Sequence, residues 1–103
     1  MAEFHKVADV NEIPEGGMKA FEVDDVPVVI CNVDGKYFAV ADECTHDSGP
    51  IHSGRICDNE IICPRHHARF SVENGAVIAP PAVVPLDTYK VKVENGHIYV
   101  RIE

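Results

Sequence analysis

The sequence predicts an all-β antiparallel domain, a sandwich or a barrel, and three observations predict it. The dipeptides Asp34-Gly35, Asn74-Gly75 and Asn95-Gly96 each separate apolar or alternating runs, and such pairs tolerate the positive φ that two-residue hairpin turns need. The runs between them are short and rich in β-branched and aromatic residues. No window carries the spacing of a long amphipathic helix.

The elements follow in order. Phe4–Ala8 reads as a strand, and Val10–Ile13 as a helical turn stopped by Pro14. Met18–Val23, Val26–Val33 and Lys36–Ala41 read as strands, the last two joined at Asp34-Gly35. Glu60–Cys63 and Ala76–Ile78 are further β segments, with Asp58-Asn59 as an additional turn candidate and Asn74-Gly75 as a hairpin turn. Thr88–Glu94 and His97–Ile102 close the chain. There Val91, Val93, Ile98, Val100 and Ile102 alternate with polar residues, as in half-buried strands. Pro80, Pro81 and Pro85 make Ala79–Pro85 a stiff extended loop, unsuited to a central strand.

At 103 residues and 46% hydrophobic content the chain fits one small domain with a real core, which a bound metal centre would reinforce. No run reaches the length of a membrane span, and residues 1–10 lack the layout of a secretion signal, so a cytoplasmic protein with no membrane partner is expected. A net charge of −8 argues against nucleic-acid binding. Arg55, Arg65 and Arg69 fall among five acids between Glu43 and Ile78, so cations near a functional tip on an acidic body can steer a partner; the alternative is a solvated surface.

Four cysteines, Cys31, Cys44, Cys57 and Cys63, lie in a chain that also holds six histidines, which in a reducing compartment points to metal or redox chemistry rather than disulfides. The pattern is Cys44-x-His46, sixteen residues, then Cys63-x-x-His66. Two thiolates and two imidazoles can serve one zinc ion or a binuclear iron–sulfur centre. Structural zinc sites of this donor set usually space Cys with Cys and His with His, whereas here each loop mixes the two. There is no Ser/His/Asp signature, no glycine-rich phosphate loop and no mononuclear iron motif, so an enzyme is not expected.

Cys44-Thr45-His46, Cys63-Pro64-Arg65-His66, the run His67–Ser71 to Asn74-Gly75, Pro80-Pro81 and Pro85–Tyr89 carry a resemblance over essentially the whole chain. The sequence resembles the Rieske family, and most closely the small ferredoxins of multicomponent aromatic-ring dioxygenases. The resemblance implies one Rieske domain over 1–103, a β-sandwich base of 1–42 and 79–103 with a cluster-binding subdomain at about 43–78, and a proline loop covering one side of the cluster. It implies one [2Fe–2S] cluster per chain, held by Cys44, His46, Cys63 and His66, with the histidines at an exposed tip. The implied role is that of a soluble, monomeric one-electron carrier between a flavin-dependent ferredoxin reductase and a terminal oxygenase. Alternatives are a small subunit or regulatory module of a larger oxidoreductase, or the ferredoxin of a monooxygenase.

Charge explains what mixed ligation does. Two ferric ions, two sulfides, two thiolates and two neutral imidazoles sum to zero, so the electron is accepted more readily than by an all-cysteine cluster. High-potential members in respiratory cytochrome bc complexes add a disulfide between the loops and Ser and Tyr hydroxyls to the cluster sulfurs. The corresponding positions here are Gly49 and Arg65, then Ala68 and Phe70, which supply neither. A potential near the low end of the Rieske range, about −150 mV, is expected.

The remaining candidates are assigned away from the cluster. Cys31 in Val28-Val29-Ile30-Cys31 reads as a buried small hydrophobe, and Cys57 as similar. His67 directly follows His66 and is the competing ligand that the family's spacing disfavours. His52 reads as a surface or partner-contact residue, His5 and His97 as residues of the base, and Asp47 as a residue facing water or tuning His46.

Overall fold

The structure, a computed structural model, describes residues 3–45, 49–65 and 67–102. Its strands are β1 (Phe4–Asp9), β2 (Met18–Val23), β3 (Val26–Val33), β4 (Lys36–Ala41), β5 (Arg55–Cys57), β6 (Glu60–Ile62), β7 (Arg69–Ser71), β8 (Val77–Ala79), β9 (Thr88–Glu94) and β10 (His97–Arg101). A 3-10 turn, Val10–Glu12, follows β1, and its Glu12 carboxylate accepts from the Asp9 N–H at 2.8 Å. All pairings are antiparallel, in a six-stranded sheet ordered β1-β10-β9-β4-β3-β2 and a four-stranded sheet ordered β5-β6-β7-β8. The edge strands β1 and β2 come together, so the larger sheet is nearly closed.

Tight turns build the frame. Asp24-Asp25, Asp34-Gly35, Asp58-Asn59 and Asn95-Gly96 all have positive φ at both residues, and each joins strands paired directly across a two-residue loop. Their backbone twist matches that of the flanking strands. Asp24-Asp25 carries no glycine, and sequence patterning passed it over. Asn74-Gly75 is a correction: only Gly75 is left-handed, and β7 and β8 are joined by the longer loop 72–76, in which Asn74 Oδ1 accepts from the Ala76 N–H at 2.9 Å. β5 and β7 are also additions; at three residues each they are too short to display a period.

The continuous apolar run in β3 is buried on both faces. Val28 and Ile30 point into the larger sheet's own core with Ala8, Ile13, Ala39, Ile98 and Val100. Val29 and Cys31 point the other way, into a second core shared with the four-stranded sheet. The smaller sheet therefore completes its core on the outer face of β3 and β4.

Candidate metal centre

Two loops meet at this second core. The first leaves β4 and is closed at its base by Asp42. The Asp42 side chain is only 8% exposed; its Oδ1 accepts from the Ile51 and His52 N–H groups at 2.8 and 2.9 Å, and its Oδ2 lies 2.7 Å from His52 Nδ1. Within this closure the Cys44 N–H donates to the Gly49 carbonyl at 2.8 Å. The second loop leaves β6. There the Cys63 N–H donates to the Ala68 carbonyl at 2.8 Å, and the His67 N–H donates back to the Cys63 carbonyl at 3.1 Å. Both loops thus turn by the same device: a cysteine N–H reaches the carbonyl five residues later.

Cys44 and Cys63 are fully buried, neither in a disulfide, in one apolar cluster with Ile51, Ile61, Ala68, Phe70, Val72, Ala82 and Leu86. His46 and His66, the two imidazole candidates, lie outside the described residues, as does Asp47. In chain position each histidine falls inside one of the two turns. Two water-shielded sulfurs at the floor of matching turns, with a histidine in the sequence of each, are a donor set that fits a binuclear iron–sulfur group. Thiolates placed there are kept from oxidants and competing water.

Three further features shape the site. Thr45 Oγ1 donates to the Val84 carbonyl at 2.5 Å, tying the first loop to the proline segment 79–85. Gly75 (φ +75°) anchors that segment from the other side: its carbonyl accepts from the Leu86 N–H at 2.8 Å, and a Cβ on it would lie 2.0 Å from the Leu86 oxygen. Gly54 likewise leaves no room, since its Cβ would fall 1.9 Å from the Ile62 oxygen. Sequence reading missed Asp42, Gly54 and the packing role of Gly75. The one available signal for Asp42 was an acid at the end of a strand just before the Cys-x-His loop.

Arg65, Ala68 and Phe70, on which the expectation of a low potential rests, are placed as follows. Arg65 Nη1 donates to the Pro50 carbonyl at 2.7 Å. Ala68 and Phe70 are both fully buried and bear no hydroxyl.

The other candidates sort as follows. Cys31 is buried, and desolvation pushes its thiol up to about 12, so it stays protonated and unreactive. Cys57 departs from expectation: it is half-buried at the end of β5, with its Sγ 3.8 Å from Asp58 Oδ2. His52 is at the surface, as expected, but also helps close the first loop through Asp42. His67 is exposed in the left-handed region, φ +63°. His5 lies 3.6 Å from Asp24 and His97 2.5 Å from Asp9, both on strands of the larger sheet.

Known proteins of the same shape and pattern exist. A family model described as the Rieske [2Fe-2S] domain matches residues 3–90. The ferredoxin component of biphenyl 2,3-dioxygenase from Rhodococcus jostii (strain RHA1) is 36% identical over 98 residues, covering 95% of this chain and 92% of that protein. The ferredoxin of carbazole 1,9a-dioxygenase from Nocardioides aromaticivorans IC177 superposes with a TM-score of 0.91 at 31% identity, over 94% of this chain and 95% of that one. A chain in the solved complex of reduced oxygenase and oxidized ferredoxin in carbazole 1,9a-dioxygenase superposes with a TM-score of 0.88 at 28% identity, over 94% and 91% of the two chains.

Proposed function

Since this chain belongs to the Rieske [2Fe–2S] domain family, we propose that it is the one-electron carrier of an aromatic-ring dioxygenase system. It takes electrons from a flavin-dependent reductase and delivers them to a terminal oxygenase, as a cytoplasmic monomer. The observation that supports this most is the pair of matched turns that bury Cys44 and Cys63 in one core. When bound, the cluster supplies reversible one-electron transfer.

The chain's own residues do the rest. Cys44 and Cys63, on the buried floor, would hold the cluster together with His46 and His66, all four within the subdomain 43–78 inserted in the base 1–42 and 79–103. Phe70, Ala68 and Ile51 keep water from the sulfurs. Fewer hydroxyl donors at the sulfurs leave more negative charge on them, which disfavours reduction; a low potential of about −150 mV follows. A redox titration with a clearly positive midpoint contradicts it.

The proline segment gives the partner a contact. Val83 and Val84 are 85% and 53% exposed on the segment that Thr45 ties to the first ligand loop. Apolar side chains so exposed beside the site suit a transient docking surface.

Reconstitution tests the reading: a flavin-dependent reductase and an aromatic-ring oxygenase are combined with and without this protein, and hydroxylated product is measured. Turnover that requires the protein is the expected result. Turnover unchanged by its omission contradicts the carrier role.

A further inference from the structure

The two ligand loops lie well apart in the chain, yet one side chain spans them. Arg65 Nη1 donates to the Pro50 carbonyl at 2.7 Å, and its guanidinium occupies the space beside Gly49, where a Cβ would come within 2.8 Å of Cζ and 2.9 Å of Nη2. The Gly49 carbonyl in turn accepts the Cys44 N–H at 2.8 Å. A continuous run of contacts thus leads from Cys44 through Gly49 and Pro50 to Arg65, two residues beyond Cys63 and next to His66.

We propose that Arg65 is a positioning residue: a reversible, charged clasp that holds the Cys44–Pro50 loop against the Cys63–Ala68 loop. The proposal rests on the reading that these loops hold the cluster. A guanidinium suits the role because its planar fork donates to a carbonyl while its face covers a residue that has no side chain. Gly49 is small so that the fork can sit there; its φ is not in the left-handed region, so space rather than backbone conformation makes glycine the fitting residue. Unlike a covalent cross-link, the clasp adds a positive charge beside a group that gains a negative one on reduction. Arg65 is exposed, so this bias is weakened by salt.

Three variants of the holoprotein test the clasp. Arg65→Gln removes charge and fork, Arg65→Lys keeps the charge and one donor, and Gly49→Ala displaces the guanidinium while leaving Arg65 in the chain. The readouts are the half-life of the visible cluster absorbance under an excess of chelator and the midpoint potential at low and high salt. The cluster half-life is expected to fall about tenfold in Arg65→Gln and in Gly49→Ala, and less in Arg65→Lys. The potential is expected to fall in Arg65→Gln at low salt, to stay near that of the wild type in Arg65→Lys, and to converge for all proteins at high salt. Half-lives equal to the wild type in both Arg65→Gln and Gly49→Ala overturn the proposal. So does an Arg65→Lys variant no better than Arg65→Gln in half-life and potential. A wild-type protein that carries no Rieske cluster instead overturns the ligand reading beneath it.

Discussion

The two sheets of this molecule are held together in different ways. The larger sheet has strands of five to eight residues, three of its connections being two-residue turns, and it encloses its own aliphatic core of Val28, Ile30, Ala39, Ile98 and Val100. The smaller has strands of three residues, and its core contains the two candidate ligands Cys44 and Cys63. It borrows Val29, Cys31 and Val40 from the larger sheet and depends on loop contacts: Asp42 to residues 51–52, Thr45 to Val84, Arg65 to Pro50, Gly75 to Leu86. Apolar burial carries the first region. The second needs close backbone approaches and, with the cluster, metal ligation as well.

The sharpest break of this comparison is at the sulfurs. Cys44→Ala or Cys63→Ala removes the visible cluster spectrum completely, whereas Cys31→Ala, in the same core but protonated, retains it. An absorption spectrum of each purified variant decides this.

The next effect separates crowded from open glycines. Gly75, Gly35 and Gly96 all have φ near +80°. A Cβ at Gly35 or Gly96 meets nothing within 4 Å, whereas at Gly75 it collides with the Leu86 carbonyl. Gly96→Ala therefore costs about 1–2 kcal/mol, the left-handed penalty alone. Gly75→Ala costs more than about 3 kcal/mol and loosens the proline segment. Urea unfolding of the two variants measures the gap; equal costs contradict the packing assigned to Gly75.

Truncation of each core comes third. Phe70→Ala costs about 3–5 kcal/mol and Ile98→Ala about 2–5 kcal/mol, so stability alone does not distinguish them. Cluster lifetime does. Phe70 lies in the core with both cysteines, and its loss shortens the lifetime of the visible absorbance under chelator; Ile98→Ala leaves that lifetime near the wild-type value.

The smallest effect is electrostatic and lies on the larger sheet. The hydrogen bond with His97, with Lys6 nearby, holds the Asp9 carboxyl below its usual 3.8, and the Asp9 N–H, with Lys19, holds Glu12 below 4.5. A carboxyl whose pKa is lowered by folding contributes stability above its ordinary pKa and loses it as pH falls through the lowered value. Both groups face solvent, so the contribution is small and salt-screened. The urea midpoint is expected to decline less steeply below the ordinary carboxylate range in an Asp9→Asn/Glu12→Gln variant than in the wild type.

The same contrast governs what could be read in the sequence. The strands of the larger sheet were legible because they are long enough to show an apolar or alternating run, and two of its turns because they are Asp-Gly and Asn-Gly; Asp24-Asp25, which reaches the same turn without glycine, escaped notice. In the smaller sheet, β5 and β7 were missed because three residues show no period. The candidate site divides likewise. Spacing and family resemblance marked Cys44 and Cys63, and the structure buries both in one core. The contacts of Asp42, Gly54 and Arg65 were not legible, because each acts on a partner some eight to fifteen positions away; only for Asp42 did the sequence offer a sign, an acid ending a strand just before the Cys-x-His loop. Cys57 was read as buried like Cys31, but it ends an edge strand of the smaller sheet, where burial is partial.

The most direct test of the central claim, one [2Fe–2S] cluster held by Cys44, His46, Cys63 and His66, is pulsed electron paramagnetic resonance on the reduced protein labelled with nitrogen-15 histidine. The account predicts two histidine nitrogens coupled to the electron spin in the wild type, a pattern preserved in His67→Ala and His52→Ala and abolished in His46→Ala and His66→Ala. A reduced cluster without histidine coupling, or a normal two-nitrogen pattern surviving in His46→Ala or His66→Ala, contradicts it.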